Sequence, residues 1–257
     1  MPSNDILDQL VKLSNNLGRP ELDYVILGEG NTSARVDDQT FLVKASGTEL
    51  RTITTGGFVY VSFERALAML NGPELSDQKV KEALTAAKAV PEAPGHPSVE
   101  TLLHAQLLCL EDVNFIGHTH PTAINALACS KAFPGIYKGR IFPDEIVLCG
   151  VAPLLVLYTD PGLPLARYIK SLMQDYLNQY GQSPRIIIMQ NHGLIVLGRT
   201  AKQVEDVTAM AVKTARVLCG TYSVGGPRYL PAKDVDRIHT RLDEVYRRQQ
   251  LGLEKKD

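Results

Sequence analysis

The chain has 257 residues, 44% of them hydrophobic, with a formal net charge of −1 and a sequence pI near 6.6. That length and apolar content predict a single domain over residues 1–257, with a C-terminal helix and tail from about 231. No apolar run reaches the roughly 18 residues of a membrane-crossing helix, the N-terminus lacks the basic and apolar regions of a signal peptide, and scattered Lys and Arg leave no nucleic-acid footprint.

In chain order, a first helix is predicted over Asn4 to Leu17, capped by Ser3, with Ile6, Leu7, Leu10 and Val11 as its apolar stripe and Gly18 ending it. Short strands follow at Ala34 to Val36 and Phe41 to Lys44 around the Asp37-Asp38 turn, then at Phe58 to Ser62. Ser62 caps a helix through Leu70, and Asp77 to Val90 reads as an exposed helix. Ser98 reads as the N-cap of a helix running from Glu100 towards Leu110, and Thr122 to Ser130 as a small-residue helix. Strands are predicted at Glu145 to Leu148 and Leu154 to Tyr158, helices at Leu163 to Tyr180 and after Thr200, and one charged helix at Lys233 to Gln250 ahead of a frayed tail, Glu254 to Asp257. Interleaved strands and helices give an α/β or α+β class, and the two hairpins imply a substantially antiparallel sheet. The four cysteines, Cys109, Cys129, Cys149 and Cys219, are widely spaced, three of them in apolar patterns; they read as buried thiols of a reducing, cytoplasmic protein.

Chemistry concentrates in Gly117-His118-Thr119-His120-Pro121. It continues the apolar run Val113 to Ile116, and in a strand residues two apart share a face, so His118 and His120 point the same way. Pro121 stops the strand because it cannot donate to the ladder. Such a pair is half a metal site, although a lone His-x-His is also met on surfaces and in cores. His192 lies in the turn of a second hairpin, Arg185 to Met189 and Leu194 to Leu197. Taken alone it could be a solvent histidine; a third imidazole would leave Zn²⁺ one open position, as catalytic sites do. Glu100 falls in a first helical turn, where the helix dipole alone favours an acid. His104, four residues on along the same face, reads as a helix-packing residue or one that supports a ligand from behind, not as a ligand. Two glycine-rich turns, Gly28 to Ser33 and Lys44 to Thr48, could cradle a phosphate or polyol together with Ser98.

Gly30-Asn31-Thr32-Ser33, Ser46-Gly47, Pro97-Ser98-Val99-Glu100, His118-Thr119-His120-Pro121 and Asn191-His192-Gly193 together resemble the class II aldolase/adducin family over about residues 4–225. The resemblance implies a three-layer α/β/α fold with a mostly antiparallel central sheet. It also implies a divalent metal, Zn²⁺ (or Mn²⁺, Co²⁺ or Fe²⁺), held by His118, His120, His192 and Glu100, with Glu100 the acid/base. The phosphate-binding candidates are Gly30, Asn31, Thr32, Ser46, Gly47 and Ser98. The implied activity is cleavage of a ketose 1-phosphate or related polyhydroxy ketone to dihydroxyacetone phosphate and an aldehyde, through a metal-stabilised enediolate, in a homotetramer. Epimerisation or decarboxylation on the same site is the alternative, and a non-catalytic adducin-like domain a remote one, since such members lose the metal ligands. Family members use a further tyrosine, for which Tyr137, Tyr222 and Tyr229 are the candidates. Val99 stands where sugar-phosphate aldolases often carry a second hydroxyl residue, which puts the phosphate in question; His96 or Lys44 could compensate.

Overall fold

The computed structural model describes residues 2–252. Among the described residues, seven strands are interspersed with ten α-helices: α1 (Pro2–Leu17), β1 (Asn31–Arg35), β2 (Thr40–Lys44), β3 (Phe58–Ser62), α2 (Phe63–Asn71), α3 (Asp77–Ala86), α4 (Thr101–Leu107), β4 (Phe115–Thr119), α5 (Thr122–Ala128), α6 (Pro143–Cys149), β5 (Leu154–Val156), α7 (Leu163–Tyr180), β6 (Ile186–Met189), β7 (Gly193–Gly198), α8 (Ala201–Thr221), α9 (Ala232–Thr240) and α10 (Leu242–Gln250). The strands form a sheet in the order β3-β2-β1-β4-β7-β6-β5. Neighbours run antiparallel except β5 and β6, which are parallel.

Period-two alternation divides the core. Phe41, Val43, Ile116, Ile187 and Ile195 face α2, α3, α4 and α7. Ala34, Leu42, Phe115, Ile188, Leu194 and Val196 face α1, α5, α6 and α8. The result is the expected α/β/α sandwich with a mostly antiparallel sheet. Both faces are covered, so the central strands are buried along their whole length.

Several local expectations give way. Glu145 to Leu148 is helical, because Pro143 is pre-set for a first helical position and Asp144 and Glu145 suit the helix N-terminus. The first helix already contains Ser3, so Ser3 is not its cap. The helix from Asp77 stops at Ala86, and Lys88 bridges to Val61 instead. The C-terminal helix is two, parted at Arg241, whose backbone is extended (φ −61°, ψ 133°) and whose guanidinium bonds Asp243. Of the four cysteines, all free thiols, only Cys149 is buried. The tail Glu254 to Asp257 lies outside the described residues.

Candidate metal centre

The site forms at one end of the sheet's centre. His118 is the fourth residue of β4, on the same face as Ile116 and directly across from Asn31 of β1. His120 follows just past the strand, where its backbone N–H donates to Tyr24 O. His192 sits in the β6–β7 turn, beside Asn191 with φ +54°. Two glycines allow this crowding. A side chain on Gly193 would come within 2.6 Å of Thr119 O and 2.7 Å of the His120 ring. One on Gly30, at φ +67°, would come within 2.5 Å of His118 O.

The three imidazoles converge. The ligand atoms of His118, His120 and His192 all lie within 4.8 Å of one another, and the Nε2 atoms of His118 and His120 are 3.0 Å apart. Glu100 closes the group: its Oε1 is 3.1 Å from His192 Nε2 and 3.6 Å from His118 Nε2. The His118 side chain is fully buried and that of Glu100 is 15% exposed. Burial pushes His118 down to about 4, against the pull of Glu100. Burial and the neighbouring His118 and His192 push His120 to about 4. For Glu100, burial works to raise the carboxyl, but His118, His192 and His104 outweigh it and hold it well below the usual carboxylate range. At neutral pH the group offers neutral His118 and His120 imidazoles and one carboxylate, the donor state that a borderline divalent cation needs. The outer nitrogens of two rings face neighbours: His118 Nδ1 bonds Leu194 O at 3.0 Å, and His120 Nδ1 lies 3.7 Å from Glu29 Oε1. Such outer contacts fix ring orientation and ligand basicity. These residues fit a divalent metal.

Around this core the predicted phosphate residues divide. Ser46 N donates to His96 O at 2.9 Å, and Ala45 bridges to Pro97, which brings the turn with Ser46 and Gly47 beside Ser98. Ser98 does not cap α4. Its hydroxyl is buried without a hydrogen-bond partner, and Glu100 occupies the cap position. Lys44 Nζ donates to Gly28 O (3.1 Å) and Thr48 O (2.5 Å), joining both glycine-rich turns. Burial lowers the Lys44 ammonium, with Glu100 and Glu49 opposing. Gly30 is buried at the turn into β1. Thr32 is turned to the opposite face, where its hydroxyl meets Ser14 Oγ of α1 at 2.6 Å, so it has no access to a ligand on the histidine side. Asn31 is 5% exposed and engaged with Glu100 and His104. His96 and Val99 are exposed, and Val99 abuts Gly162.

Sequence reasoning passed over Glu29, although an acid inside the glycine-rich Gly28 to Gly30 turn was a visible signal. A cleft of about 340 Å³ opens between Glu29 and His120, lined also by Val25, Ile26 and Asn125. None of the three candidate tyrosines lines this cleft: Tyr137 packs on Phe133 with its hydroxyl pushed up by burial, Tyr229 donates to Ile136 O, and Tyr222 is half exposed after α8.

Residues 8–219 match the family model of the class II aldolase and adducin N-terminal domain. The chain belongs to that family. Over 244 residues it is 25% identical to the uncharacterized oxidoreductase YuxG of Bacillus subtilis, covering 90% of this chain but 33% of that protein. The chain thus spans about a third of that relative's length. It is 27% identical over 183 residues to methylthioribulose-1-phosphate dehydratase of Geobacillus kaustophilus (70% of this chain, 75% of that protein). It is 24% identical over 236 residues to 3-oxo-tetronate 4-phosphate decarboxylase of Haemophilus influenzae (90% and 96%). Among solved structures, the N-terminal class II aldolase domain of a conserved Thermoplasma acidophilum protein superposes with a TM-score of 0.65 at 27% identity, covering 83% of this chain and 93% of that one.

Proposed function

We propose that this protein is a divalent-metal-dependent lyase that cleaves a ketose 1-phosphate, or a related polyhydroxy ketone, to dihydroxyacetone phosphate and an aldehyde. The observation that carries the reading is the convergence of three imidazoles, two of them within 3.6 Å of the Glu100 carboxylate. His118, His120 and His192 would hold the ion with Glu100, and Zn²⁺ suits three imidazoles, although Mn²⁺, Co²⁺ and Fe²⁺ accept the same donors. When bound, the ion supplies Lewis-acid polarisation of the substrate carbonyl.

The chain's own groups do the rest. Glu100, ionised and close to the cluster, takes the proton in the synthetic direction and returns it to carbon after cleavage. Lys44, the Ser46 and Ser98 hydroxyls and the backbone amide of Gly47 offer an anion a charged and hydroxyl-lined rim. The cleft beside His120 has room for the aldehyde end. Glu29 borders that cleft and is better placed than any of the three tyrosines to exchange a proton there.

Elimination of water and loss of carbon dioxide form the second reading. Relatives named as a dehydratase and a decarboxylase support it, and both reactions place a similar demand on Glu100. A non-catalytic role is disfavoured by the intact ligand set. We further propose a cytoplasmic homotetramer, to be tested by light scattering and fractionation. The reaction is tested with metal-loaded protein on a panel of ketose 1-phosphates. Chelator-sensitive release of dihydroxyacetone phosphate supports aldol cleavage. Its absence from protein that holds metal, with turnover of keto-acids or dehydration substrates, supports the second reading.

A further inference from the structure

A buried chain of hydrogen bonds runs away from the proposed centre through residues outside its ligand set. Asn31 Nδ2 donates to Glu100 Oε2, the oxygen turned away from His118 and His192. Asn31 Oδ1 meets His104 Nε2, and His104 Nδ1 meets Ser33 Oγ at 2.7 Å. Ser33 and His104 are fully buried and Asn31 nearly so. Asn31 and Ser33 share a face because they lie two apart on β1, and α4 carries Glu100 and His104 four apart above that face.

The polarity of this chain follows from its charged end. An ionised carboxylate only accepts, so Asn31 must turn its N–H towards Glu100 and its Oδ1 towards His104. His104 must then carry its proton on Nε2. A neutral ring protonated there accepts at Nδ1, so Ser33 donates. Burial keeps the ring neutral at physiological pH, since it pushes His104 down to about 4. Each group has one orientation that satisfies both neighbours. A flipped Asn31 amide would set an oxygen against a carboxylate and an N–H against an N–H.

We propose that His104 and Ser33 are positioning residues that lock the Asn31 amide so that it restrains Glu100 Oε2, leaving Oε1 to face the histidines. The proposal rests on the reading of Glu100 as metal-site carboxylate and proton carrier, but not on which bond the enzyme breaks.

The test compares His104→Phe, His104→Gln, Asn31→Ala and Ser33→Ala in the full chain, read first without substrate. Zn²⁺ affinity is measured by competition with a chromophoric chelator. The Asn31 side-chain amide is followed by ¹⁵N NMR in the metal-free protein, assigned from its loss in Asn31→Ala. Expected are a weakening of Zn²⁺ affinity of about 10-fold or more in His104→Phe and Asn31→Ala, a shift of the Asn31 amide resonances with faster exchange of their protons with water in His104→Phe, and return towards the original positions in His104→Gln, which restores an N–H donor. Ser33→Ala should broaden the Asn31 signals by admitting the other tautomer, and it serves as the reporter if His104→Phe fails to fold. With a substrate in hand, kcat falls while KM stays within about twofold. Unchanged Asn31 signals and Zn²⁺ affinity in His104→Phe, or in Ser33→Ala where it is the reporter, would overturn the proposal, as would an Asn31→Ala enzyme changed only in KM. If no sugar in the panel turns over while these signals respond, the reaction assignment fails and the lock stands.

Discussion

The histidine cluster rests on strand ends, whereas the rim facing it is made of turns at residues 26–30, 45–48 and 96–98. His118 is fixed by β4 and by its bond to Leu194 O, and His192 by a tight hairpin. The rim is held by a buried lysine bridging two carbonyls and by Ser46 N on His96 O, with Ile26, Leu27 and Val99 exposed around it. A metal needs donors fixed to a fraction of an ångström, which a sheet supplies. A substrate that varies in length and charge is better met by turns, whose substitution leaves the sheet intact.

Substitutions should separate the two regions. His118→Ala strikes the strand-end cluster and should abolish both stoichiometric metal and turnover, read by metal analysis and activity. Glu100→Gln should keep the fold and lose about 10²–10⁴-fold in kcat, because the amide cannot carry the proton; full activity would reduce Glu100 to a helix-start residue. Lys44→Met strikes the rim. It should raise KM for a phosphorylated substrate about 10- to 100-fold, the loss of one charge-assisted hydrogen bond, while metal content stays unchanged. If metal content fell with it, the two regions would not be separable.

Acid should act on the strand-end region and its support. His104, His118 and His120 are pushed down to about 4 in the folded metal-free protein, against an ordinary histidine value of 6.5. The unfolded chain therefore takes up protons first, and stability falls as pH drops from about 6.5 towards 4, by up to about 3 kcal/mol for each ring. Above 6.5 these rings contribute no pH dependence. Thermal unfolding of metal-free protein between pH 7.5 and 5 should show this decline, and His104→Gln should flatten part of it. An equal decline in that variant would remove His104 from the account.

The strand-end histidines were legible because their signals are local: alternation in β4, Pro121 as its stop and an Asn-Gly turn around His192. Glu100 needed the family pattern, since an acid at a helix start carries little information of its own. The Ser98 cap failed because Glu100, not Ser98, holds the cap position and the serine hydroxyl stays unpartnered. The 145–148 strand failed because an apolar run of that length fits either element, and Pro143 with two acids behind it decides for helix. Asn31 with His104 and Thr32 with Ser14 could not be read, since each pair joins elements far apart in sequence. Only the register of β1 shows that neighbouring residues of one motif face opposite layers.

The most direct test of the central claim is Zn²⁺ titration of metal-free protein with chelator-reversible turnover followed in the same sample. One ion per chain should bind, activity should rise in step with occupancy, and both should be lost in His118→Ala. Turnover that proceeds at full rate in metal-free protein, or one tightly held ion that survives His118→Ala, would contradict it.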